Sequence, residues 1–128
     1  MPTQRRSRDK REALLRAAVE LFERFPIRGL ANITGGGIIE NLPRVLPPGM
    51  QAVIRRGGWP VPPIFELIAR LGRIDAAEMD RTFNNGLGMI GVAPAADADA
   101  VVAHLRRLRT RACVVGEIRR GERRVILR

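Results

Sequence analysis

The sharpest chemical feature of the chain is the run Thr34-Gly35-Gly36-Gly37. Three glycines between a predicted strand and a predicted helix let the backbone approach a ligand closely. Their N–H groups, with the start of the helix, suit an anion. The same residues equally suit a tight turn that binds nothing. No Gly-Lys-Ser/Thr follows, so this is not a P-loop, and the spacing is not that of a dinucleotide fingerprint. A second polar corner, Asn84-Asn85-Gly86-Leu87-Gly88, leads into an apolar run. Its two amides suit a ribose or a phosphate, and Asn-Gly also serves as a plain turn pair.

Other chemistries find little support. His104 is the only histidine, so one chain cannot form a two-histidine metal site. A surface or boundary position is expected for it. Cys113 is the only cysteine, which excludes an intrachain disulfide and a multi-cysteine zinc site. It precedes Val114 and Val115 and is expected to be a buried, inert thiol. Ser7 is the only serine and sits in a basic tail, which argues against a serine triad. No metal ligands are assigned, and no catalytic residue. Pro60 to Pro63 fits P-x-x-P, a pattern too common to carry weight.

The elements that must position these corners follow from periodicity. Asp9 with Glu12 is expected to cap a helix from Lys10 to Arg24, with Leu14, Ala18, Leu21, Phe22 and Phe25 on its inner face. Residues 1–8 are expected to fray. A strand over 30–34, a helix over 38–42 and a strand over 50–55 come next. Gly57 to Pro63 forms a stiff, extended connector. Pro63 then opens a helix carrying Ile64, Leu67, Ile68 and Leu71, closed at Gly72. Asp75 with Glu78 starts another helix. Residues 88–93 are almost wholly apolar and read as a central strand covered on both faces. Asp97 opens a helix with Val101, Val102, Leu105 and Leu108 inward. Residues 112–118 and 123–127 read as a hairpin turning at 119–122. The expected fold class is α+β, a mixed β-sheet with packed helices, in the order α-β-α-β-α-α-β-α-β-β.

Length and composition bound what this can be. At 128 residues the chain holds one domain or part of one. With 45% apolar residues, disorder is not expected, and with four Phe and one Trp the core must be aliphatic. The longest uncharged apolar stretch is about half of the ~20 residues a membrane span needs. No signal peptide is visible, so the expected setting is a reducing, soluble compartment, the cytoplasm. The net charge of +10 sits at the ends: +4 over residues 1–16, +7 over 106–128 and −1 between them. That pattern suits an anionic partner. It also suits a compositional habit, since 22 of 23 basic residues are Arg. No aromatic follows Phe83 to stack bases, and nucleic acid is not the expected partner. A basic nucleic-acid-binding or interaction module remains the alternative.

Several motifs occur in a familiar order: Ala31-Asn32-Ile33-Thr34-Gly35-Gly36-Gly37, then Glu40 through Pro47, then Trp59-Pro60-Val61-Pro62-Pro63-Ile64-Phe65. Met79-x-x-Thr82-Phe83-Asn84-x-Gly86-x-Gly88-Met89 and Val115-Gly116-Glu117-Ile118 follow. Together they resemble the C-terminal part of aminoimidazole ribonucleotide synthetase, also called phosphoribosylformylglycinamidine cyclo-ligase. The resemblance starts at Ala13 or Leu21 and runs to the C-terminus.

The resemblance implies a ligase of de novo purine biosynthesis. Such enzymes use ATP and magnesium to close formylglycinamidine ribonucleotide into aminoimidazole ribonucleotide. They are two-domain homodimers, and their N-terminal domain supplies most ATP and metal contacts. This chain resembles only the later part of their C-terminal domain. The resemblance therefore implies a fragment inactive alone, binding neither ATP nor magnesium by itself. It would work as a homo-oligomer or with a complementing N-terminal half. Asn32, Thr34, Gly35, Gly36, Gly37, Asn84, Asn85 and Gly86 are the implied substrate-binding residues. Asn32 stands where the family usually has His. The implied division is a basic tail over 1–12 and a partial cyclo-ligase domain over 13–128. Residues 1–25 also resemble the first helix of tetracycline-repressor-type regulators, but Pro26 and the glycine run stand where a recognition helix would follow.

Overall fold

The computed structural model describes residues 2–128. They fall into two compact units, one of residues up to 28 with 93–114, the other of 29–92 with 115–128. The elements are α1 (Pro2–Arg24), β1 (Gly29–Asn32), α2 (Gly37–Asn41), β2 (Met50–Ile54), α3 (Pro63–Gly72), α4 (Ala76–Thr82), β3 (Met89–Val92), α5 (Ala98–Arg107), β4 (Gly116–Arg120) and β5 (Val125–Leu127). Short 3-10 turns follow α2 and precede α5. The α+β class and the order of helices and strands are as the periodicity implies.

The larger unit carries the sheets. β1 and β3 pair antiparallel, with Ala31 opposite Ile90. β2 lies between β4 and β5, antiparallel to the first and parallel to the second. Ala31, Ile33, Ile38, Leu42, Leu46, Ala52, Ile54 and Ile90 form one buried aliphatic cluster, with Trp59 and Leu87 against it. Two expectations fail here. The 119–122 segment is not a hairpin turn, because β2 separates β4 from β5. β2 buries Ala52, Val53 and Ile54 in succession, and a strand so buried needs partners on both edges for its backbone groups. The apolar run before Ala93 is not a central strand either; among the described residues β3 pairs only with β1, and Gly91 within it is exposed. A short apolar run does not reveal its place in a sheet.

Local signals hold better. Asp75 caps α4, its side chain accepting from Glu78 N at 2.8 Å. Pro63 opens α3, and Arg73 closes it at φ 51°. Yet α3 buries no residue, and Ile64, Leu67 and Leu71 stay exposed. Its amphipathic pattern lacks a covering surface among the described residues.

In the smaller unit, α1 begins at Pro2, well before the expected cap at Asp9. Helix-favouring Arg, Lys, Glu, Ala and Leu carry it through that point. Glu12 pairs instead with Arg16 one turn on, at 3.6 Å. Ala17 and Leu21 are buried, while Leu14, Leu15, Val19 and Phe22 are exposed. His104 on α5 is buried rather than superficial. Its Nε2 donates to Glu20 Oε2 at 3.1 Å, and its ring meets Phe25 edge-on at 5.8 Å between centroids. A partner 84 residues away in sequence satisfies the imidazole, which is why burial costs it little. Leu108, expected inward, is exposed. Cys113 is also exposed, because the strand begins only at Gly116 and the thiol lies in the irregular segment before it.

Candidate functional site

The glycine corner leaves β1 at Asn32 and enters α2 at Gly37. Gly36 (φ 97°) and Gly37 (φ 61°) both take left-handed backbone that favours glycine. Gly37 has a second reason to lack a side chain. A Cβ there would collide with the Asp80 carbonyl oxygen and stand 2.9 Å from that of Phe83. The C-terminal end of α4 therefore rests directly on the corner. Above Gly36 lies the Glu40 side chain, at α2's next turn.

Asn41 holds this corner from beneath. It is 5% exposed, and its Nδ2 donates to Gly37 O at 2.8 Å, with longer bonds to Thr34 O (3.3 Å) and Gly35 O (3.4 Å). Thr34 Oγ1 donates to Asn41 Oδ1 at 3.3 Å. One buried amide thus turns three loop carbonyls inward. Sequence reasoning passed over Asn41 as a site residue. Its signal was an asparagine placed in a helical turn just after a glycine run, where its side chain competes for backbone groups.

The second corner lies beside the first. Asn32 stands opposite Met89 in the β1–β3 ladder, and Ile33 N donates to Gly88 O at 2.9 Å. The antiparallel pairing sets the exit of β1 next to the entry of β3. Asn84 Oδ1 accepts from Gly86 N at 2.9 Å, forming its own turn. Asn85 takes φ 50°, and its carbonyl accepts from Trp59 Nε1 at 2.9 Å. Gly86 packs against Pro62 of the extended connector. Phe65 on α3 meets Phe83 edge-on at 5.9 Å. Both Asn84 and Asn85 thus spend hydrogen-bonding capacity inside the protein.

Asp80 is 9% exposed and faces Arg56, whose Nη2 donates to Oδ2 at 2.7 Å. Asn85 Nδ2 donates to Asp80 Oδ1 at 3.4 Å. Ile39, Arg56, Ala77, Asp80, Arg81 and Leu127 line an open hollow on this side of the unit. So the structure sets Gly37 against Phe83 and bonds Ile33 to Gly88, the residues that flank the Asn84–Leu87 turn, with Asn32 exposed at the end of β1. Among the described residues no three His, Cys, Asp or Glu side chains gather as a metal site. The basic C-terminal segment is partly self-paired, Arg119 with Glu117 and Arg124 with Glu122. No helix of the described residues is long and apolar enough to cross a membrane.

The family model described as AIR synthase related protein, C-terminal domain, matches residues 3–127. A phosphoribosylformylglycinamidine cyclo-ligase of Symbiobacterium thermophilum is 53% identical over 108 residues, covering 84% of this chain and 31% of the relative. One of Brevibacillus brevis is 46% identical over 112 residues, covering 88% and 32%. A third, of Syntrophotalea carbinolica, is 43% identical over 104 residues, covering 81% and 30%. The chain spans about a third of the length of these curated relatives.

Proposed function

We propose, since the chain belongs to the AIR synthase related family through that family's C-terminal domain, that it supplies one wall of a cyclo-ligase active site. The reaction would be the one its relatives' name describes: ATP-dependent closure of formylglycinamidine ribonucleotide to aminoimidazole ribonucleotide, a step of purine biosynthesis in the cytoplasm. The observation that supports this most is the adjacency of the two corners, joined by the bond from Ile33 N to Gly88 O. Asn32, Thr34 and Gly35 are exposed at the rim and would meet substrate directly. Gly36, Gly37, Asn84, Asn85 and Gly86 would shape the backbone behind them.

In such a reaction the formyl oxygen takes up a phosphoryl group and a ring nitrogen then attacks the activated carbon. Positioning and neutralisation of charge carry most of that chemistry. This chain provides positioning. The family's metal and most contacts to ATP would belong to a complementing N-terminal half. Residues 1–12 would be an extension outside the partial domain of 13–128.

The test is reconstitution. The purified chain alone should give no ATP-dependent ring closure. Mixed or co-expressed with the part of the Symbiobacterium thermophilum relative that it does not cover, it should give turnover. Robust turnover by the chain alone would overturn its reading as incomplete. Failure of the mixture, with both parts folded and associated, would overturn the functional reading.

A further inference from the structure

We propose that Asp80 is the positioning residue that fixes the amide corner against the glycine corner, with Arg56 as the group that holds its carboxylate in place. The inference rests on the cyclo-ligase reading for its consequence in activity, but its geometry stands apart from that reading. Three things converge on this one residue. Its carbonyl oxygen occupies the space over Gly37 that any side chain there would fill. Its Oδ1 accepts from Asn85 Nδ2 at 3.4 Å. Its carboxylate receives both Nη atoms of Arg56, at 2.7 Å and 3.4 Å.

Arg56 is itself anchored. It follows β2 directly, and its N donates to Arg128 O at 2.6 Å, beyond the end of β5. The network therefore runs from the three-stranded sheet through Arg56 and Asp80 to Asn85. There the Asn85 carbonyl meets the Trp59 indole. Backbone contact on one side and side-chain contact on the other make Asp80 a brace between the corners. The Arg56 side chain is 49% exposed, and an ion pair that open adds little to stability. Its worth lies in geometry: a forked guanidinium fixes the plane of a carboxylate as a point charge does not.

The chain has one tryptophan, so the Trp59 indole N–H is a single resonance that reports on the Asn85 carbonyl. In Asp80→Asn and Arg56→Met, that resonance should shift. Amide exchange at Gly37 and Gly86 should rise at least tenfold, while exchange at Ala52 and Ile54 in β2 stays unchanged. Arg56→Lys should give a smaller effect than Arg56→Met. An unmoved indole signal, or exchange rising equally in β2, would overturn the proposal, since either marks mere support of the fold. Arg56→Met keeps the test open if Asp80→Asn does not fold. In the reconstituted enzyme, Asp80→Asn should raise KM for the ribonucleotide at least tenfold with kcat within twofold; an unchanged KM would also overturn it. If the unaltered mixture shows no turnover, the functional reading fails, and the exchange data still decide the role of Asp80.

Discussion

The unit built on the two sheets and the unit built on α1 and α5 are held together by different means. The first has an aliphatic core centred on β2, with Leu42 only 1% exposed and Ala52 fully enclosed. The second places Ala17 and Leu21 inside, leaves four larger apolar residues of α1 exposed, and relies on a bond from the buried His104 to the half-exposed Glu20. The difference shows where sequence tolerance ends. In the sheet unit a single atom is felt, because interiors are close-packed. Along the first half of α1 residues 4–16 are exposed, and change there should pass unnoticed.

The largest effect should come from Gly37→Ala. The new Cβ meets the Asp80 carbonyl, and the backbone is left-handed, so a loss of about 3 kcal/mol is expected by denaturant unfolding. A loss under ~1 kcal/mol would mean that α4 can lift off the corner, and the contrast between the units would break. His104→Ala should cost about 1–2 kcal/mol, since it removes a buried ring with its part-buried hydrogen bond to Glu20 and its edge contact with Phe25. A cost matching that of Gly37→Ala would make the helical unit as exacting as the sheet unit. Removal of residues 2–12 should change stability by under about 0.5 kcal/mol, read as an unshifted thermal midpoint. A larger loss would sharpen the comparison by showing that α1 leans on its own first turns.

The order of the elements was legible because each depends on nearby residues. Asp75 to Glu78 capped a helix, Pro63 opened one, and Asn84 made its turn with Gly86 two residues on. What was illegible depends on partners far along the chain. The burial of His104 depends on Glu20 and Phe25, and the separation of β4 from β5 depends on β2. The glycine corner announced itself through composition. Asn41 and Asp80, which shape it, look like ordinary helical polar residues until their distant contacts are known. The closeness of the two corners followed from motif resemblance rather than spacing, since the β1–β3 pairing and the seat of α4 on Gly37 bring them together.

The parallel pairing of β2 with β5 sets a timetable for biosynthesis. Ala52 leaves the ribosome long before Val125, its neighbour in the finished sheet. During most of that interval β4 is missing as well, and the most enclosed strand of the protein has both edges bare. A nascent chain stalled there would offer those edges to chaperones or to its own copies, so emergence of residues 116–127 doubles as release from that hazard.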